Sequence, residues 1–127
     1  MKATFINSLN NYSQNLEQMI VDLASSFYDN RESVTKDMQN AAAPLFAAAK
    51  NEISLLKRFL FFSMIDYPDF SYSGKTNFLD CFGIVESFED NLNDAWNHTD
   101  TSVLISCLSL ATMLGKIFDE QREEDDQ

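Results

Sequence analysis

The sequence predicts an all-α protein, an antiparallel bundle of four to five helices, and three observations carry that prediction. Apolar residues recur every three or four positions along most of the chain. Strict alternation of apolar and polar residues, the mark of a half-buried strand, occurs nowhere. Three glycines and two prolines in 127 residues are too few for a turn-rich β protein. The length suits one domain with one core, and no internal repeat is visible.

The first helix is carried by Phe5, Leu9, Tyr12, Leu16, Met19, Leu23 and Phe27, with Ile6, Ile20 and Tyr28 widening the stripe to a core-facing band. Asp29, Asn30 and Arg31 form a short polar break suited to a helical hairpin. A second helix starts near Glu32 or Ser33 and carries Val34, Met38, Ala41 and Leu45, then Ala49, Ile53, Leu56 and Leu60. Pro44 lies inside it, so this helix is expected to kink or restart there. Near its end Phe61 and Phe62 make it apolar all round, which predicts burial on more than one side, by the following loop or by a partner.

Residues 66–75 bring proline, glycine and serine together and read as a loop. In the third helix Asn77 is the expected N-cap, Asp80 follows three residues later, and Phe78, Phe82, Val85, Leu92 and Trp96 form the core face. Thr99 or Asp100 caps a fourth helix carried by Leu104, Cys107, Ala111, Leu114 and Phe118. The bundle domain is thus expected over 1–118. Residues 119–127 are acidic, lack an apolar anchor, and read as a disordered tail.

Charge is the distinguishing feature: twenty acids against nine bases give a net charge of −11. Residues 1–65 hold six acids and six bases, so all of the excess lies in residues 66–127, with fourteen acids and three bases. Glu86, Asp90 and Asp94 stand four apart on the third helix with Glu89 beside them and no lysine interleaved. Like charges at that spacing each weaken a helix by roughly 0.2–0.5 kcal/mol, so a basic partner would relieve them. The neighbouring loop supplies Asp66, Tyr67, Asp69, Phe70 and Tyr72, aromatic anchors among carboxylates. These nine residues are the expected partner-binding site, and Phe61 and Phe62 the expected self-association site, giving a possible homodimer.

Catalysis is not expected. A lone His98 near Asp94 has no third ligand for a metal, Cys81 and Cys107 share no redox motif, and no phosphate-cradling glycine loop is present. No cofactor is expected either. The negative charge disfavours direct binding to nucleic acid or an anionic membrane. No signal-like apolar run follows Lys2, and the longest apolar run, Phe59 to Ile65, falls far short of the roughly 20 residues of a spanning helix. The cytoplasm is the expected compartment. The leading functional reading is an acidic inhibitor that neutralises a basic protein, as an immunity protein capping a nuclease-type toxin would. One alternative is a phage anti-defence inhibitor that partly mimics nucleic acid, and another is a helical adaptor or self-associating scaffold.

Overall fold

The computed structural model describes residues 3–28, 36–69, 76–98 and 102–125, with side chains for 7–26, 36–69, 76–98 and 102–119. Among these residues run four helices and no β-strand: α1 (Ala3–Tyr28), α2 (Lys36–Asp66), α3 (Phe78–Asn97) and α4 (Ser102–Asp125). The expected break at 29–31, the α2 start near Glu32, the α4 caps Thr99 and Asp100, and the loop residues Phe70 and Tyr72 lie outside the described residues.

Cross-helix pairs fix the direction of each helix. Asn15 donates to Glu52 and the Tyr12 ring meets Phe59, so α2 runs back along α1. Gln39 donates to the Trp96 carbonyl and Lys50 to Glu89, which sets α3 antiparallel to α2. Asn10 pairs with Asp119 and Glu17 with Thr112, which sets α4 antiparallel to α1. Each helix packs against its two ring neighbours, in the order α1, α2, α3, α4 and back to α1.

One stripe of each helix meets at the centre. Leu9, Leu16, Ile20 and Leu23 of α1 face Ile53, Leu56 and Leu60 of α2, Val85, Phe88 and Leu92 of α3, and Leu104, Ala111, Leu114 and Phe118 of α4. α2 is helical through Pro44, with Ala42 rather than the expected Ala41 turned inward. Ala42 stands three residues before Leu45 and seven before Ala49, on the row that α2 buries. α3 starts where expected: the Asn77 side chain accepts from the Asp80 amide at 2.9 Å, and the Asp80 carboxylate accepts from the Asn77 amide at 3.0 Å. This reciprocal box satisfies two amides that the helix start would leave unpaired.

The α1–α4 seam is tied by polar contacts. α4 runs Ser102–Asp125, past the last core residue Phe118. The nearly buried Asn10 donates to Asp119 Oδ1 at 2.6 Å, which ties Asp119 to α1. Ser13, also buried, donates to the Asn10 carbonyl at 2.8 Å. A Cβ at Gly115 would stand 3.3 Å from Ser13 Oγ, so a larger residue here would press on the Ser13 side chain.

α4 is also apolar over most of its length. Ser102–Asp119 is long and apolar enough to cross a membrane by length and composition, because small polar residues interrupt its run without adding charge. Its inward face, Leu104 to Phe118, is core of this bundle.

The seam gives a testable expectation. Asp119→Ala should lower stability by about 1–2 kcal/mol, since it leaves the buried Asn10 amide without its acceptor. A chain ending at Asp119 should keep the stability of the full chain in denaturant titration. An equal loss in both variants would move the anchor to residues 120–127.

Candidate interaction surface

The four helices leave a charged face along α3. Its inward positions, from Phe78 to Ala95, enter the core, so Leu79, Asp80, Glu86, Asp90 and Asp94 are left exposed. Three of the four α3 carboxylates expected to bind a partner are therefore presented to solvent on one side of the helix. Asp94 lies 3.4 Å from the His98 ring, itself exposed at the helix end.

The fourth carboxylate does something else. Glu89 turns toward α2 and accepts from Lys50 at 2.9 Å and from Lys57 at 3.3 Å. Lys50 also reaches Asn93, and Lys57 sits 5.5 Å from the centre of the Phe82 ring. Partial burial would raise the Glu89 carboxyl, but the hydrogen bonds and charges of the two lysines outweigh it and hold the group below the usual carboxylate value. Glu89 is thus a strut between α2 and α3. The lysines that offset α3's self-repulsion come from the adjacent helix, which spacing along one helix cannot reveal.

The rest of the expected site gathers at the α2–α3 junction. Asp66 and Asp69 are exposed, and Tyr67 is half-buried against the core. Met64, Tyr67, Pro68, Asn77, Phe78 and Leu79 line a shallow cleft of about 200 Å³. Asp66, Asp69 and Asp80, all exposed, each adjoin one of these lining residues in sequence, and the Asp80 carboxylate is held by the Asn77 amide.

Among the described residues of the single chain, nothing covers Phe61 and Phe62. They are 54% and 55% exposed, with Ile65 at 64% and Leu55 at 38%. The inward row of α2 is already filled by Leu56, Leu60 and Ser63, so these residues form an outward ridge with the rings meeting edge to face at 5.9 Å.

The cysteines offer no reactive thiolate. Burial, then the nearby charge of Asp80, push the Cys81 thiol up to about 12, and burial does the same to Cys107. Both stay protonated at neutral pH. Among the described residues no cluster of three His, Cys, Asp or Glu side chains is placed to hold a metal. Comparison of the chain with protein-family models, with curated proteins and with solved structures finds no match.

The strut yields a pH-dependent expectation. Glu89→Gln should cost about 1 kcal/mol at neutral pH, the scale of a partly exposed two-lysine network. The folded-state value lies below the ordinary glutamate value, so this stabilisation is present above that ordinary value and is lost as pH falls through the folded one. The stability gap between wild type and variant should close on acidification. A gap that holds constant into strong acid would remove the ion pairs as its source.

Proposed function

We propose that this chain is a non-catalytic binding protein whose acidic end, the α2–α3 junction and the outer face of α3, neutralises a basic protein partner. The observation that carries the reading is the cleft walled by Tyr67, Phe78 and Leu79, with the exposed Asp66, Asp69 and Asp80 each next in sequence to a lining residue. An apolar wall accepts the aliphatic stem of a lysine or arginine while these carboxylates meet its head. Glu86, Asp90 and Asp94 extend the same negative field along α3 and favour encounter with positive surfaces. Glu89 has no part in it, being held by its lysines. Phe70 and Tyr72 belong to the same reading as further anchors.

A partner with a nucleic-acid site fits, since such a site must carry positive charge. We therefore favour an immunity protein capping a nuclease-type toxin, acting in the cytoplasm. A full mimic of nucleic acid would spread carboxylates over the whole surface, whereas the α1–α2 half is neutral, so an anti-defence inhibitor ranks second.

Pro44 takes a supporting place in this proposal. Proline cannot bond to the carbonyl four residues back and crowds it, so a bend in α2 at this position is the proposed local geometry. Such a bend is compatible with Gln39 reaching the Trp96 carbonyl at 2.8 Å and Phe46 stacking on Trp96 at 4.5 Å.

The test is binding to the product of the adjacent gene, followed at low and high salt. For a nuclease toxin, co-expression should restore growth. Asp90→Lys with Asp94→Lys should slow association about tenfold with little change in dissociation. Leu79→Ala, at an exposed cleft wall, should instead speed dissociation. Association that ignores both salt and charge reversal would remove the acidic end from the function.

A further inference from the structure

A second surface lies on the opposite side of the bundle and is independent of the acidic end. Val21, Ala24, Ile105 and Leu108 wall an apolar groove between α1 and α4, floored by Ile20 and Leu104, with a volume of about 350 Å³. Val21 and Ile105 are 43% and 59% exposed. From Ser102 to Gly115 α4 carries no charged residue, so the groove is spared the net charge of the chain. Among the described residues of α1 the exposed Asp22 stands three positions before Ser25, which also lines the groove, and its carboxylate accepts from Gln18 at 2.9 Å.

The outward ridge of α2 has the converse form. Phe61, Phe62, Ile65 and Leu55 project from a helix in the neutral half of the chain, and the exposed Arg58 stands among them. Ridge and groove lie at different levels of the bundle. Phe59 meets Tyr12, and the groove begins eight residues further along α1, so its centre is roughly 15 Å further along the axis at 1.5 Å per residue.

We propose that the aromatic ridge of one copy docks into the α1–α4 groove of a second copy, with Arg58 beside Asp22. The match is one of shape, convex rings to concave groove, and of charge, one cation to one anion. A lipid surface fits less well, because among the described residues the α4 wall carries no lysine or arginine before Lys116 and the chain is strongly acidic. Because each copy keeps both faces, the contact is head-to-tail and builds rings or open chains instead of a symmetric pair.

Sedimentation of the purified chain tests this. Wild type should grow in size with concentration. The ridge variant Phe61→Ser with Phe62→Ser, and the groove variant Ile105→Asp, should each weaken association at least about tenfold, the scale of losing a buried anchor. All three positions are more than half exposed, so the melting curves should be retained. Mixed in equal amounts, the two variants should form a pair and nothing larger, because each retains one competent face. A charge swap gives a second readout: Arg58→Asp and Asp22→Arg should each weaken association, and their combination should restore it. A wild type that stays monomeric up to about 1 mM would overturn the proposal. So would association that survives the groove variant, which is a symmetric ridge-to-ridge contact. Binding of a monomeric wild type to phosphatidylcholine vesicles, lost in Ile105→Asp, would assign the groove to lipid and equally overturn it.

Discussion

Each helix of a four-helix ring has one inward face, and everything on the outside of this molecule follows from that limit. α3 obeys it closely: its core row is apolar, its outer row is charged apart from Leu79 in the first turn, and a capping box fixes where it begins. α2 and α4 carry more apolar residues than one inward row can hold. The excess leaves Phe61, Phe62 and Ile65 outside on α2, and Ile105 and Met113 outside on α4. Single exposed apolar residues are normal on any protein, but a ridge of two phenylalanines and an isoleucine on one helix face is a contiguous feature.

Charge is sorted by the same geometry. A carboxylate on the flank of α3 that faces α2 meets lysines, and one on the outer row meets water. Glu89 and Asp90 are neighbours in sequence, yet the first is clamped by Lys50 and Lys57 while the second is exposed. The clamp joins helices in the middle of the bundle, where Lys57 also covers the Phe82 ring. It removes one negative charge from the outer field and leaves the other three in line.

The helical class and nearly every element were legible because periodicity is a local property. The Asn77 and Asp80 box was legible for the same reason. Phe88, fully buried, was missed although it falls three residues after Val85 and four before Leu92, because Glu86, Glu89 and Asp90 surround it with polar signal. The partners of Glu89 and of Asp119 are 32 to 39 residues and 109 residues away, so no reading along one helix finds them. The α1–α4 groove was invisible for a related reason: its walls are contributed by residues more than 80 positions apart. The apolar end of α2 was legible as a demand for cover, but an apolar face does not say whether the same chain or a partner supplies it.

The two proposed surfaces respond oppositely to ionic strength, which gives them a physical division of labour. Attraction between exposed charges is screened over about 8 Å at physiological salt and over less as salt rises. As proposed, the acidic end would act on the approach of a basic partner and weaken in brine. Apolar docking of the α2 ridge is not screened, and salt also reduces the mutual repulsion between two chains of net charge −11. Low salt thus favours capture by the acidic end and disfavours self-association, and high salt reverses both. Because the excess charge is confined to residues 66–127, the repulsion between copies is least when the neutral α2 ridge of one approaches the uncharged stretch of α4 in the next. A chain with its acids spread evenly would lose that distinction, since every approach would meet the same field.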